Sequence, residues 1–215
     1  MARRYDCSTG FGRAAGLREA VLAVRRGELV VLPTDTVYGI GADAFNREAV
    51  DRLLRAKGRG RAMPSPVLVA SPDALDDLFT DFSEQGRALV EAFWPGGLTL
   101  VARHQPSLTW DLGETHGTVA VRMPSHQMAL DLLAETGPMA VSSANLTGAP
   151  SPQDCDAAQT MLGDSVTVYL DGGPTKAAVA SSIVDLTGPA PILKRAGAIS
   201  AERLRKLVPD LQDAP

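Results

Sequence analysis

The hydrophobic pattern of the chain alternates between short apolar runs and stretches whose apolar residues lie three or four positions apart. The clearest run is 29–32, Leu-Val-Val-Leu, and four branched apolar residues in a row are typical of a strand buried on both faces. Pro33 ends this strand because proline cannot donate to a sheet ladder. Residues 33–41 then predict a polar turn, in which Gly39 and Gly41 permit tight backbone bends.

Helical spacing appears first over 13–27, where the pattern predicts an amphipathic helix that ends before Gly27. Asn46 is a suitable N-cap for a second helix, which ends near 57–58. Residues 71–73, Ser-Pro-Asp, predict the start of a short third helix with proline at its first position. Further helices are predicted at 83–93, at 126–136 with Ser125 as cap, at 154–162, and at 201–208 with Ser200 as cap.

Further apolar runs predict strands between these helices, at 66–70, 98–103, 118–122, 139–141, 166–170, 181–186 and 191–194. The last two are close enough to form a hairpin. Several consecutive strands lack a helix between them, so we expect an α/β fold with a mixed sheet and helices packed on it. The chain has no internal repeat or linker, which predicts a single domain over 1–215 with its core at about 13–208.

Composition narrows the class of protein. The 215 residues are 45% hydrophobic and 21% charged, which is typical of an ordinary globular protein. No apolar run approaches the roughly 20 residues that span a bilayer, and no hydrophobic region follows the basic N-terminus as in a secretory signal. We therefore expect no membrane association and a cytoplasmic location. Cys7 and Cys155 are then expected as free thiols, with one disulfide between them as the alternative.

Charge indicates the kind of partner. The net charge is −4, whereas a protein that grips duplex nucleic acid usually presents a large basic field. The basic residues are concentrated instead in 52–61, which contains five of them. A compact cationic segment on an acidic protein favours a small polyanion, although such a segment can also bind RNA.

Familiar catalytic motifs are absent from the sequence: there is no GxxxxGK[ST] phosphate loop, GxGxxG fingerprint, HExxH pair or GxSxG elbow. What remains are cations and hydroxyls that follow strands or helices. Lys57 and Arg59 either pair with a helix dipole or leave the helix end to bind phosphates. Arg122 either pairs with a carboxylate in the protein or clamps one on a ligand. The loop 142–148 suits a sugar or phosphate, but it also has an ordinary turn composition.

Taken in order, these segments resemble the YrdC/TsaC family of threonylcarbamoyl-AMP synthases. The resemblance runs from about residue 17 to about residue 208. The segments that carry it are the 33–41 turn, Lys57-x-Arg59, Trp-Pro-Gly-Gly-Leu-Thr at 94–99, Val-Ala-Val-Arg-Met-Pro at 119–124, Ser-Ala-Asn-Leu-Thr-Gly at 143–148 and Asp-Gly-Gly at 171–173.

The resemblance implies a fold, a reaction and a site. The fold is a twisted mixed sheet around a large concave cavity, without the extra C-terminal domain of longer relatives. The reaction converts L-threonine, bicarbonate or CO2 and ATP into threonylcarbamoyl-adenylate and pyrophosphate, the first step of t6A modification of tRNA. Lys57 and Arg59 would be catalytic. ATP would be bound by Lys57, Arg59, Thr118, Ser143, Asn145, Ser151 and Arg195. L-threonine would be bound by Thr34, Arg122 and Ser181.

The same resemblance implies partners. Mg²⁺ would accompany ATP, and no protein side chain is identified as a metal ligand. Downstream partners would be the threonylcarbamoyl-transferase machinery and tRNA, and the protein would be a monomer or weak dimer. An enzymatic alternative is carbamoyl adenylation in hydrogenase maturation, but those proteins carry zinc-finger-like and acyl-phosphatase segments that this chain lacks. The non-enzymatic alternative is a module for RNA binding, including double-stranded RNA, or for ribosome assembly.

The chain departs from the family pattern at a few positions. Gly60-Arg61 follows the Lys-x-Arg where many members have proline, and the loop to Pro66 is about two residues longer. Ala70 replaces a histidine, while Ala180 and Ala196 replace a glutamate and a proline. These changes bear on loop geometry and amino-acid selectivity. Asp35 has no assigned role and is either a turn residue or the partner of a cation.

Overall fold

A computed structural model describes residues 2–176 and 179–214, and its strands join into one mixed sheet. The strands are β1 (Arg3–Asp6), β2 (Val30–Leu32), β3 (Gly39–Asp43), β4 (Val67–Leu68), β5 (Leu98–Arg103), β6 (Thr118–Arg122), β7 (Met139–Ser143), β8 (Val168–Asp171), β9 (Ser182–Asp185), β10 (Ile192–Arg195) and β11 (Gln212–Asp213). The helices are α1 (Gly10–Arg25), α2 (Arg47–Ala56), α3 (Ala74–Leu78), α4 (Glu84–Phe93), α5 (Gln127–Thr136), α6 (Cys155–Leu162) and α7 (Ala201–Arg205), with a 3-10 turn at Gly163–Ser165.

The sheet order is β1-β8-β2-β3-β7-β4-β6-β5-β9-β10-β11. Strand β8 lies parallel to both of its neighbours, as do β4 and β6, β5 and β9, and β10 and β11. The remaining neighbours run antiparallel. The expected α/β fold with a mixed sheet is therefore confirmed.

Two clusters of buried residues cover the two faces of the central strands. Val31 belongs to one cluster, which includes residues of α2, α3, α4, α6 and α7. Val30 and Leu32 belong to the other, where α1 and α5 pack. Alternate residues of a strand point to opposite faces, so β2 is buried on both sides, as its unbroken apolar run predicted.

Local capping signals predicted several boundaries correctly. Asn46 caps α2 because its side chain accepts a hydrogen bond from the backbone N–H of Ala49 at 3.1 Å. Ser200 caps α7 in the same way, and Gly27 follows α1 with a φ of 73°. The two late strands β9 and β10 form the predicted antiparallel hairpin.

The prediction of tight bends at Gly39 and Gly41 is wrong. Both residues lie inside β3, which pairs with β2 on one side and β7 on the other. A Cβ at Gly39 would lie 2.7 Å from a methyl group of Val141, and one at Gly41 would lie 2.8 Å from the Met139 methyl. At Gly39 the branched Val141 side chain leaves no room for a Cβ, whereas at Gly41 the contact is with the flexible end of Met139, which can move.

The first residues of two helices also differ from the prediction. Ser125 does not cap α5: His126 is the N-cap residue, without a side-chain hydrogen bond, and the Ser125 N–H donates to Asp35. Helix α3 begins at Ala74, two residues after Pro72. The short polar strands β1 and β11 were not predicted, because their exposed residues carry no apolar signal.

Both cysteines are free and buried, as expected for two thiols without a disulfide. Burial raises the pKa of Cys7 to about 11 and that of Cys155 to about 12. Over the described ranges, no helix has the length and apolar character required to cross a bilayer.

Candidate active site

A cavity of about 350 Å³ lies against the sheet and is lined both by strand ends and by mid-strand residues such as Val101 and Ala120. The turn after β2, the loop after α2, and residues of β5, β6, β7, β9 and β10 all contribute to its wall. Seven of the ten site residues predicted above line this cavity: Thr34, Arg59, Arg122, Ser143, Ser151, Ser181 and Arg195. Residues more than 150 positions apart in sequence therefore meet around one space.

The turn after β2 is organised by the buried hydroxyl of Thr34. Its Oγ1 accepts hydrogen bonds from the backbone N–H groups of Thr36 and Val37, at 3.1 and 3.2 Å, and donates to the Val37 carbonyl at 2.7 Å. It also lies 3.0 Å from the Thr36 hydroxyl. This network satisfies the turn internally, so the two threonine side chains are held at fixed positions in the cavity wall.

Arg122 ends β6 with a buried guanidinium whose side chain is only 7% exposed. Its Nη1 donates to Asp35 at 2.8 Å and to the Gly96 carbonyl at 3.1 Å, and its Nη2 donates to Thr36 Oγ1 at 3.2 Å. The first alternative stated for Arg122 is observed, because it pairs with a carboxylate of the protein. Arg122 also lines the cavity, and a clamp on a ligand carboxylate stays a prediction. Asp35 is thereby the partner of a cation.

A second hydrogen-bonded group joins β5 and β10 at the cavity through Ser181, the residue before β9. The hydroxyls of Thr99 and Ser181 lie 2.8 Å apart. Arg195 donates from Nε to the Ser181 carbonyl at 2.8 Å and from Nη2 to the Ser181 hydroxyl at 3.0 Å. Burial, and then the neighbouring charge of Arg122, lower the pKa of Arg195 from its ordinary value.

Lys57 is enclosed and does not line the cavity. Its ammonium donates to the carbonyls of Ser143 and Asn145, the latter at 2.7 Å, and lies 3.3 Å from Asn145 Oδ1. Burial, and then the charge of Arg59, lower the Lys57 pKa to about 8. In this conformation Lys57 stabilises the loop after β7, and the oxygen atoms there occupy the donors of its ammonium group.

Arg59 reaches the cavity from the loop after α2. Its Nη1 donates to the Ser142 hydroxyl at 2.9 Å, while its buried Nε has no hydrogen-bond partner among the described residues. Burial lowers the Arg59 pKa from its ordinary value. A guanidinium with an unused buried donor, at the edge of a cavity, is suited to an anionic ligand.

The two other predicted site residues lie outside the cavity wall. Asn145 uses its amide nitrogen to hold its own loop, donating to Leu146 and Ala149 carbonyls at 3.1 and 2.6 Å. Thr118 lies at the start of β6, where its hydroxyl donates to the Thr115 carbonyl at 2.9 Å.

Comparison with known proteins decides the family. The family model for Sua5, YciO and YrdC proteins, described as "Telomere recombination", matches residues 22–197. The chain belongs to the Sua5/YciO/YrdC family. A Mycobacterium tuberculosis relative, provisionally named threonylcarbamoyl-AMP synthase, is 52% identical over 208 residues, which cover 97% of this chain and 96% of that protein.

More distant members of the family extend beyond the matched region. A threonylcarbamoyl-AMP synthase of Bacillus subtilis is 38% identical over 194 residues, covering 89% of this chain and 56% of that protein. The structure of Pyrococcus abyssi Sua5 complexed with L-threonine is 37% identical and superposes with a TM-score of 0.88, over 93% of this chain and 59% of that chain. The present chain therefore spans little more than half the length of these two family members.

The structure adds cavity residues that the sequence did not single out: Thr36, Thr99 and Ser142. Thr99 carried a usable signal, since it is a hydroxyl residue inside the otherwise apolar run 98–101. Thr36 and Ser142 are close in sequence to residues that were predicted. Only the fold shows that their own side chains also face the cavity. Asp35 was noticed, but its partner Arg122 is 87 positions away.

Some of the departures from the family pattern fall at the cavity. Pro64 and Pro66 from the longer loop contribute to its wall, as does Ala180. Arg61, within that loop, pairs with both Asp51 and Asp111, the former at 2.9 Å. The unusual Gly60-Arg61 therefore supplies a tether for the loop that carries Arg59.

Proposed function

We propose that this protein is an L-threonylcarbamoyladenylate synthase, a nucleotidyltransferase that uses L-threonine, bicarbonate or CO2 and ATP. The observation that carries the proposal is the meeting of Arg59, Arg122 and Arg195 with several hydroxyls around one cavity. The names of the relatives support it, as does the L-threonine complex of the Pyrococcus abyssi Sua5 protein.

The chemistry explains why this wall suits the reaction. The threonine amine adds to CO2 and loses a proton, which gives a carbamate. A carbamate oxygen then forms a bond to the α-phosphorus of ATP while the bond from that phosphorus to pyrophosphate breaks. Two anions must approach each other, so the protein's task is to position them and neutralise charge. Arginines and hydroxyls perform this task without a nucleophilic residue.

ATP is assigned to the wall that contains Arg59, Ser143, Ser151 and Arg195, all of which face the cavity. Arg59 has the free buried donor for a phosphate oxygen. Lys57 and Asn145 act on the nucleotide through the loop after β7, which the Lys57 ammonium holds in place. A direct phosphate contact by Lys57 would require it to exchange a carbonyl for the phosphate. The assignment of Thr118 to ATP rests on the family resemblance alone.

L-threonine is assigned to Thr34, Arg122 and Ser181. Arg122 provides a guanidinium for the amino-acid carboxylate, and the two hydroxyl residues provide hydrogen-bonding partners for the rest of the substrate. Arg195 bonds to Ser181 and lies near Arg122, so it connects the two substrate regions. Such a position suits stabilisation of charge where the carbamate meets the α-phosphate.

Mg²⁺ would enter with ATP as part of the substrate, since Mg²⁺ is usually held by phosphate oxygens with few protein ligands. The described residues contain no group of three or more His, Cys, Asp or Glu side chains that could hold a metal. We further propose a cytoplasmic setting, in which a transferase consumes the reactive adenylate to modify tRNA.

The test is pyrophosphate release measured with each substrate omitted in turn. We expect release from ATP only when L-threonine and bicarbonate are both present, and loss of release when EDTA removes Mg²⁺. Formation of a threonine-containing adenylate, followed by mass spectrometry, identifies the product. Release that ignores threonine would contradict the proposal, and salt-dependent RNA binding without any turnover would favour the RNA-binding alternative.

A further inference from the structure

Asp35 is the one carboxylate within 4.0 Å of an arginine of the cavity wall, among the residues that the structure describes. Its Oδ1 accepts from Arg122 Nη1 at 2.8 Å and from the backbone N–H of Ser125 at 3.0 Å. The second bond ties the carboxylate to the segment that leads into α5. The Ser125 N–H therefore holds the Asp35 carboxylate independently of Arg122.

The two partners are buried to different degrees. The Arg122 side chain is 7% exposed, while that of Asp35 is 17% exposed and lines a second cavity of about 320 Å³. The carboxylate can therefore keep some hydration on the side away from Arg122. The guanidinium depends much more on its protein partners, because a buried charge is costly unless it is paired and hydrogen-bonded.

A guanidinium has five N–H donors, and the protein occupies three of those on Arg122, through Asp35, Gly96 and Thr36. In the described part of the chain, Nε–H and one N–H on Nη2 have no such partner. The three protein bonds fix the plane of the guanidinium, and that plane determines where the remaining donors point. Of the three, the bond to Asp35 is the shortest and the only one to a charged acceptor, which makes it the strongest.

We propose that Asp35 is a positioning residue that orients Arg122 toward the carboxylate of the amino-acid substrate. The proposal rests on the proposed function, since it assumes that Arg122 binds that carboxylate. Asp35 does not touch the substrate in this arrangement. It acts by holding the guanidinium so that the two remaining donors face the cavity, where two carboxylate oxygens can accept them.

The test compares binding of L-threonine and L-threoninamide, measured by titration calorimetry. Asp35→Ala should raise the Kd for L-threonine about tenfold, because the loss of one charge-assisted bond lets the guanidinium turn. Asp35→Asn should restore the Kd to within about threefold, since its amide oxygen can accept the same two bonds. Asp35→Glu keeps the charge but displaces the oxygen by one methylene, so it should behave like Asp35→Ala.

L-threoninamide separates positioning from a general structural role. It lacks the carboxylate, so its affinity should be the same in the wild type and in all three variants. Asp43→Ala is the matched control, because Asp43 also accepts a backbone N–H in a turn but lies outside the cavity wall; its threonine affinity should not change. If Asp35→Ala does not fold, the comparison of Asp35→Glu with Asp35→Asn provides the same test.

Three results would overturn the inference. Equal threonine affinity in the wild type and Asp35→Glu would show that the oxygen's position is unimportant. An equal loss for threonine and threoninamide would assign Asp35 a structural role only. Absence of threonine binding by the wild-type protein would remove the proposed function itself, and with it the basis for this role of Asp35.

Discussion

Two walls of the cavity differ in whether their positively charged side chains have a carboxylate partner. The paired wall consists of Thr36 and Arg122, and its buried guanidinium meets the carboxylate of Asp35, which lines the second cavity. The unpaired wall consists of Arg59 and Ser142, with the enclosed Lys57 beside it, and no carboxylate of the described residues lies within 4.0 Å of either cation. The paired wall is nearly balanced in charge and suits a zwitterion such as an amino acid. The unpaired wall needs charge from outside, as a triphosphate would supply.

The largest expected effect is on the unpaired wall. Arg59→Ala should lower kcat/KM for ATP by about 10²–10³-fold, because it removes a preorganised donor aimed at developing charge. Initial rates of threonine-dependent pyrophosphate release measure this loss. Arg55→Ala is the matched control, since Arg55 is an exposed arginine one turn earlier that donates to the Asp51 carbonyl. If the two variants lost activity equally, the difference between a cavity arginine and a surface arginine would disappear.

Lys57 provides the next test, through the pH dependence of stability. Its pKa is about 8 in the folded protein and about 10.4 in an unfolded chain. Between these values the unfolded state binds the proton and the folded state does not, so the free energy of unfolding rises with pH. Relative to Lys57→Met, the wild type should gain on the order of 1–3 kcal/mol from pH 8 to pH 10.4.

Denaturant unfolding of both proteins at several pH values measures this gain. Lys206→Met serves as the control, because Lys206 is an exposed lysine paired with Glu202; it should show no comparable slope against the wild type. A flat difference between wild type and Lys57→Met would mean that the ammonium keeps an ordinary pKa despite its burial.

The smallest effect concerns salt, and it compares the two walls directly. Raising the ionic strength from about 0.05 to about 0.5 M should increase the KM for ATP several-fold, because screening weakens attraction to unpaired cations. The KM for L-threonine should change less than about twofold, since the paired wall has little net charge to screen. Initial rates at fixed Mg²⁺ measure both constants. Equal salt dependence for the two substrates would contradict the division into a paired and an unpaired wall.

The sequence predicted features that depend on near neighbours. Asn46 and Ser200 were identified as caps because a cap contacts residues two or three positions away. The run 29–32 predicted the buried strand β2 because burial on both faces leaves no polar residue to alternate. These signals are local, and the structure confirms the elements that they predicted.

The errors come from contacts between distant residues. Gly39 and Gly41 have the composition of a turn, but they lie in β3 beside Val141 and Met139, about 100 positions away. Ser125 has the chemistry of a cap, but Asp35 holds its backbone N–H and the N-cap position falls one residue later, at His126. The cavity residues were found through family resemblance. The sequence pattern around each of these residues allowed both a structural and a functional role, because only the fold brings them together.

The position of β8 has a consequence for how the chain folds. This strand lies between β1 and β2 and pairs Arg3 with Val168 and Val30 with the same residue. Such long-range pairings slow folding, because the chain must lose loop-closure entropy before these contacts can stabilise it. During synthesis, the first strands emerge without their neighbour, and Ser181 and Arg195 appear later still. The cavity wall is therefore complete only after residue 195 has been made, and a shortened chain that lacks β8 leaves β1 without its partner and β2 with an open edge.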